Sequence, residues 1–343
     1  MIKEYLPDLL QSLKHTQWHE GDHEIIFVDN ASKDRTREIL DATDYHKIYN
    51  EQNMGFAGGN NIGMRYALSH GADYVALIND DTVVTPNWIE EMYFMHKQKR
   101  DAGAVQPLLL YWKDKDMVNS WGNYIHFLGF GFAGGNLQSQ KVLNDRPRVY
   151  PVSYCTGAAV MYSGQALKKA GLFDKVLESY HEDLDISLKM RLYGYKAYIT
   201  LNTVVYHKYE FLKSNAELKG SYKYYLMERN RMFVLLKYYL LRTLLLIFPM
   251  WIAMEIGTFG FSIIRGFWKE KLRAYKWIIV HWKFIMEERR GIHRLRHDHK
   301  ITEQEFTDDF VSEISFQEIN NPVLKYIANP ISNIYWQFIR TLL

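Results

Sequence analysis

Tyr74-Val75-Ala76-Leu77-Ile78-Asn79-Asp80-Asp81-Thr82 is the stretch whose reading decides the fold. Unbroken apolar runs of this length mark strands buried on both faces of a sheet. This one stops abruptly in two carboxylates, at the end of the strand where open α/β sheets collect their ligands. Toward the N-terminus, Lys47-Ile48-Tyr49 and Glu24-Ile25-Ile26-Phe27-Val28 read as two further strands, the latter ending at Asp29-Asn30-Ala31-Ser32. Helices fill the intervals. Residues 2 to 15 place Leu6, Leu9, Leu10 and Leu13 on one side; Ser32 can cap a helix through Thr36, Ile39 and Leu40; and a glycine-rich loop at 53 to 63 leads into a helix that runs to about Ser69. Toward the C-terminus, Pro86 suits the first turn of a helix carrying Trp88, Ile89, Met92 and Met95, and a strand follows near 103 to 110. The alternation predicts an α/β domain with a doubly wound sheet.

A second stretch carries the acids. In Glu178-Ser179-Tyr180-His181-Glu182-Asp183-Leu184-Asp185, four carboxylates meet the start of an apolar repeat through Leu184, Leu188 and Leu192, with Gly194 where a helix would stop. Ser179 and Glu182 have capping-box spacing, and acids at a helix start are also ordinary dipole decoration. Between the two stretches, residues 111 to 150 are rich in glycine and aromatics and read as a long loop or small hairpin over the site.

Composition narrows the class. At 343 residues and 48% hydrophobic the chain can bury one large core or two ordinary ones, and 42 basic against 39 acidic residues argue against nucleic acid as a partner. The one cysteine, Cys155, excludes an intramolecular disulfide, and Met1 to Pro7 lack the apolar core of a signal peptide. These features predict a cytoplasmic protein.

Three polar clusters fall at strand ends: Asp29, the loop from Asn53, and Asp80-Asp81. The loop Asn53-Met54-Gly55-Phe56-Ala57-Gly58-Gly59-Asn60-Asn61-Ile62-Gly63 has the glycines of a phosphate cradle, but it lacks the lysine of a P-loop and does not follow the dinucleotide fingerprint. Hard oxygen ligands such as Asp80 and Asp81 suit Mg2+ or Mn2+ on a diphosphate, although an acidic turn before Thr82 would look the same. His207, at the end of the strand Val204-Val205-Tyr206, is either a packed histidine or a third ligand.

Taken together, Asp29 to Thr36, Asn53 to Asn60, Asn79 to Thr82, the Glu182-Asp183 helix and Tyr206-His207 resemble, in order and approximate spacing, the motifs of the family 2 glycosyltransferases, and within them the rhamnosyltransferase-like branch. The resemblance covers roughly residues 1 to 240 and implies a GT-A, Rossmann-like nucleotide-diphospho-sugar transferase domain. It implies that Asp29 contacts base or ribose and that Asn53, Gly55, Phe56, Gly58, Gly59 and Asn60 line the nucleotide-sugar pocket. Asp81 and His207 would ligate the metal, with Asp80 on the substrate; the first position of the acidic triplet is Asn79, so only Asp80 and Asp81 offer carboxylates. Asp183 would be the general base, with Glu182 beside it, and the segment Cys155-Thr156-Gly157-Ala158 would face the acceptor. Asp185 is the competing base. Members of the family normally open with an apolar strand ahead of the helix at 2 to 15, and this chain begins inside that helix.

The implied reaction moves a sugar, with rhamnose from dTDP-rhamnose as the branch's choice, onto a hydroxyl of a glycan or lipid-linked glycan with inversion. Two other readings remain. One is a catalytically weakened carbohydrate- or nucleotide-sugar-binding scaffold of the same fold, motivated by the absent strand. The other is a nucleotidyltransferase, which would typically want a basic residue in the glycine-rich loop, and none lies between Asn53 and Gly63.

The chain changes character after the domain expected over 1–220. Between Thr243 and Ile264 only Glu255 is charged, a length that permits a membrane span, though Pro249 and Glu255 weaken that reading. Arg265 to Lys300 then holds 11 Lys or Arg against 4 Asp or Glu, interleaved with Trp268, Trp277 and Trp282. This is the pattern of helices lying on an anionic bilayer, here the inner face of the cell membrane, and equally that of a soluble helical appendage or a homo-oligomer interface. Residues 221–343 are thus expected to be helical, ending in an acidic linker and an aromatic helix.

Overall fold

The computed structural model describes residues 2–209, 217–316 and 322–343, which divide into two compact units: 1–123 with 133–209, and 124–132 with 210–343. The first contains α1 (Ile2–Leu13), β1 (Ile26–Asp29), α2 (Thr36–Asp41), β2 (His46–Tyr49), α3 (Gly55–Ser69), β3 (Tyr74–Ile78), β4 (Thr82–Val84), α4 (Trp88–Gln98), β5 (Ala102–Tyr111) and β6 (Val118–Ser120). The hairpin strands β7 (Asn123–Ile125) and β8 (Gly131–Ala133) straddle the boundary, and β9 (Val149–Val152), β10 (Ala159–Ser163), α5 (Gly164–Ala170), α6 (Glu182–Arg191) and β11 (Lys196–His207) complete the first unit.

Its main sheet runs β3-β10-β5-β11-β4, with β6 on β5 and β9 on β11. The doubly wound expectation needs correcting, because β5 and β11 are the one pair of neighbouring strands in this sheet, among the described residues, that bond in parallel. The tight turn from β3 to β4 and the long excursion before β10 bring strands back antiparallel, as connections without a crossover helix do. β5 is the fully buried centre, which explains its apolar sequence. Its Pro107 has no amide to give the ladder, and there β11 slips register, Thr200 pairing Pro107 and Val204 pairing Leu108. β1 and β2 pair in parallel as a separate sheet, and among the described residues no strand joins β1 to β3.

α1 lies where the leucine spacing put it. Leu9 and Leu13 pack with Val84, Trp88 and Met92, and Leu6 and Leu10 with Leu40 and Phe27. Each such leucine contributes about 1.5–3 kcal/mol by leaving water.

The second unit is helical: α7 (Glu217–Tyr238), α8 (Leu241–Ile264), α9 (Trp268–Val280), α10 (Trp282–Asp298), the one-turn α11 (Glu303–Phe306) and α12 (Asn329–Arg340). Residues 124–132, read from sequence as part of a loop over the site, belong to this unit: the Phe127 ring stacks on Trp336 at 4.7 Å, and the Phe127 carbonyl accepts from the Tyr239 hydroxyl at 2.8 Å. At its centre Glu228 of α7 and Glu255 of α8 share Arg231 and Lys271, both cations being almost wholly buried. Tyr275 (2.6 Å) and the Trp251 indole (3.0 Å) also donate to Glu255, while Arg231 Nε is buried without a hydrogen-bond partner.

Candidate active site

The acidic turn is placed by its strands. Thr82 closes the turn by donating to the Asn79 carbonyl at 2.7 Å, and β4 then pairs with β11 so that Thr82 lies opposite His207. That register sets Asp81 against His207, with Nε2 3.2 Å from Oδ1. The approach lacks hydrogen-bond alignment, and Asp81 Oδ1 stays buried without a hydrogen-bond partner. His207 Nδ1 donates to the Asn119 side-chain oxygen at 2.9 Å, which turns Nε2 toward Asp81. A carboxylate oxygen and an imidazole nitrogen this close ask for a cation between them, either a proton on Nε2 or a metal ion. Burial pushes the Asp81 carboxyl up, but His207 and Lys208 outweigh it and hold the group below its ordinary value. Burial, with Asp81 beside it, pushes Asp80 up to about 6.

Among the described residues no three His, Cys, Asp or Glu converge as a metal cage. A carboxylate and an imidazole nevertheless fit a divalent ion that takes its remaining ligands from water and a diphosphate, as Mg2+ commonly does.

The candidate base arrives on α6. The expected capping box is absent: α6 starts at Glu182, its N-cap is His181 in the left-handed region, and no side chain caps it. Glu178, Tyr180 and His181 all have φ between 60° and 70°, a concentration of strain that marks an over-determined turn. One restraint is visible, since the Glu178 carbonyl accepts from Ala57 N at 3.0 Å. Asp183 accepts from Gly157 N at 3.2 Å and from Leu184 N at 2.8 Å. Burial outweighs those amides and lifts its carboxyl to about 6. Glu182, more buried and beside Asp183, is pushed well above its ordinary value, and its Oε2 is buried without a hydrogen-bond partner. Of the pair, Glu182 is the more strongly pushed toward its protonated form, and Asp183 is the carboxyl raised only to about 6. Asp185 is fully buried and ion-paired with Lys189 at 2.9 Å, which removes it as the competing base.

The two groups share one rim of the sheet. Asp183 is bonded to Gly157, the next residue Ala158 accepts from Asn79 N at 2.9 Å, and Asp80 and Asp81 follow directly. Thr156 is anchored on Gln106, whose side chain is buried and bonded to Ser120. Cys155 does not face the site, because it is fully buried against the Tyr198 carbonyl.

The glycine-rich stretch is not a loop. α3 begins at Gly55, so Gly58, Gly59 and Gly63 lie inside a helix. They permit close packing: a Cβ on Gly59 would meet the Asn30 amide at 3.2 Å, and one on Gly63 would meet Val28 at 3.1 Å. The amides expected to cradle phosphate are partly committed, Met54 N to Asn30, Gly55 N to Asn53 and Ala57 N to Glu178. Asn60 bonds back to Phe56 within the helix, and the Phe56 ring lies against Gly157. Asp29 has no exposed side-chain surface. It receives Arg37 at 2.7 Å and Ser32 N at 3.1 Å, which hold its carboxyl below the ordinary value despite burial. Ser32 does not cap α2, whose first amide goes to Asp34.

Three structuring residues escaped the sequence reading. Asn30 ties Asn53 and Gly55 to the end of β1, Asn61 makes reciprocal bonds of 2.8 and 3.0 Å with Phe173, and Asn119 orients His207. Only Asn119 had a local signal, as the outward residue of the alternating Val118-Asn119-Ser120.

Residues 3–171 match the family model described as Glycosyl transferase family 2. A low-salt glycan biosynthesis hexosyltransferase, Agl10, of Haloferax volcanii is 24% identical over 176 residues, covering 50% of this chain and 54% of its own length. Glycosyltransferase GlyG of Streptococcus pneumoniae is 29% identical over 127 residues, covering 35% of this chain and 39% of its own. The match thus spans about half or less of these relatives. Among solved structures, GalNAc-T7 with UDP, GalNAc and Mn2+ superposes with a TM-score of 0.52 at 16% identity, over 68% of this chain and 45% of that one, a likeness of fold.

Proposed function

We propose that this chain, whose residues 3–171 form a glycosyl transferase family 2 domain of the GT-A fold, moves a hexose-class sugar from a nucleoside-diphosphate donor to an acceptor hydroxyl with inversion. The observation that carries the reading is the meeting, on one rim of the sheet, of an Asp81–His207 pair short of a cation and a carboxylate, Asp183, raised to about 6.

The acceptor oxygen forms its bond to the anomeric carbon as the bond to the diphosphate breaks, its electron pair leaving on the phosphate oxygen. Asp183 takes the acceptor's proton, and a base of this pKa is largely ionised at neutral pH yet still basic enough to accept. The amides of Gly157 and Leu184 fix its two oxygens, and burial pushes Glu182 beside it well above its ordinary value, which favours the uncharged form there. Mg2+ or Mn2+ on Asp81 and His207 would supply positive charge to the departing diphosphate. A single base implies one displacement, hence inversion.

The acceptor is read as a glycan or lipid-linked glycan at the cytoplasmic face of the membrane, and rhamnose from dTDP-rhamnose as the first donor to try. Full-length protein with Mn2+ and a panel of dTDP-rhamnose, UDP-hexoses and UDP-GlcNAc should release nucleoside diphosphate with at least one donor. Saturable donor binding without turnover would instead favour the non-catalytic reading, which the separation of the β1–β2 pair from the main sheet among the described residues motivates.

A further inference from the structure

α8 is inside out for a helix in water. Of its 24 residues only Thr243, Ile247 and Ser262 are buried. Leu245, Phe248, Ile252, Ile256 and Ile263, spaced so that they share the opposite face, are 42 to 70% exposed. α12 repeats the pattern, turning Ser332 and Trp336 inward and leaving Ile331, Ile334 and Phe338 54 to 72% exposed. The Tyr335 hydroxyl donates to the Leu246 carbonyl, so the two apolar stripes belong to neighbouring helices of one unit. A patch of this kind needs a cover.

Charge identifies it. The α8 stripe is bracketed by exposed Arg242 and Arg265, and Lys269, Arg273, Lys276 and Lys283 follow exposed on α9 and at the start of α10. From Arg242 to Lys283 the acids are Glu255, which faces the interior network, and Glu270. An apolar strip rimmed by cations and tryptophans matches acyl chains under anionic headgroups.

The same helix could cross a bilayer by length and hydropathy. Glu255 decides against it. It sits well inside α8 and is held by Arg231 of α7, Lys271 of α9, Tyr275 and Trp251. An upright α8 would carry this charged network into hydrocarbon or break it. We infer that α8 and α12 seat the second unit on an anionic lipid bilayer, with α8 lying in the interface plane and its apolar face in the acyl boundary. This holds or fails independently of sugar transfer.

The test uses the full chain and vesicles of phosphatidylcholine with or without phosphatidylglycerol. The wild type should co-float with the anionic vesicles. The double variant Ile252→Gln/Ile256→Gln should lose about tenfold in bound fraction with unchanged circular dichroism, because both side chains already face outward. Arg242→Gln/Arg265→Gln should lose binding to the anionic vesicles and none to the neutral ones. Leu241→Cys and Ile264→Cys, at the two ends of α8, should both react with an impermeant maleimide added from the protein's side. Labelling from opposite sides would mean a span and overturn the inference. So would undiminished flotation of the glutamine variants, or a vesicle-free dimer that they dissolve, which would make a second copy the cover.

Discussion

Asp183 and Asp185 are two positions apart on α6, and their surroundings divide the roles. Asp185 is closed in with Lys189, whereas Asp183 keeps some surface and is lifted by burial to about 6. Asp183→Asn should lower kcat by about 100- to 10,000-fold while donor affinity holds, checked by nucleotide-release kinetics and calorimetry. The pH dependence has a definite sign. Turnover needs ionised Asp183, so it should rise as pH climbs through about 6. Stability should move the other way. A carboxyl raised on folding binds its proton more tightly in the folded state, and stability falls as pH rises from the ordinary carboxylate range through about 6. Asp183→Asn should therefore flatten that limb of a Tm-against-pH curve. Asn119 permits a separate measurement. Asn119→Ala removes the acceptor that fixes the His207 tautomer and should weaken Mn2+ affinity about 10- to 100-fold, read by calorimetry without donor, with Asn119→Asp restoring it.

At the scale of elements, periodicity located α1, β3, α4 and β5, whose burial patterns are set by their own residues. It misread starts and loops. The stretch 53 to 63 contains enough glycine to look like a loop, yet Gly55 alone needs its freedom, with φ of 69° and Glu178 O at 3.2 Å from where a Cβ would stand. Gly55→Ala should destabilise the domain by about 1–2 kcal/mol, seen as a lower urea midpoint. The capping box at Ser179 failed because tertiary contacts force the 178–181 turn into positive φ, which local propensity disfavours. In the helical unit, Glu255 looked like a defect in a membrane span and proves to be the centre of an ion network. Lys271→Met would leave two buried glutamates sharing one arginine and should cost about 3–5 kcal/mol by denaturant unfolding.

For the whole molecule, the residues that meet at the rim come from distant parts of the chain: Asp81, Asn119, Gly157, Asp183 and His207. Ligands that bind only the folded form should raise the apparent Tm, and a nucleotide sugar at about a hundred times its Kd should add about 2.7 kcal/mol, here only when Mn2+ is present. A differential scanning series with Asp81→Ala as control checks this. The amino-acid sequence by itself determined the alternation of strands and helices, the acids at strand ends and the apolar, basic character of the C-terminal third, because those depend on spacing and composition along the chain. Which carboxylate is accessible, which histidine nitrogen carries the proton, and which side of α8 faces outward were decided only by tertiary structure. Each depends on partners brought in from other segments, and burial and pairing are properties of those meetings.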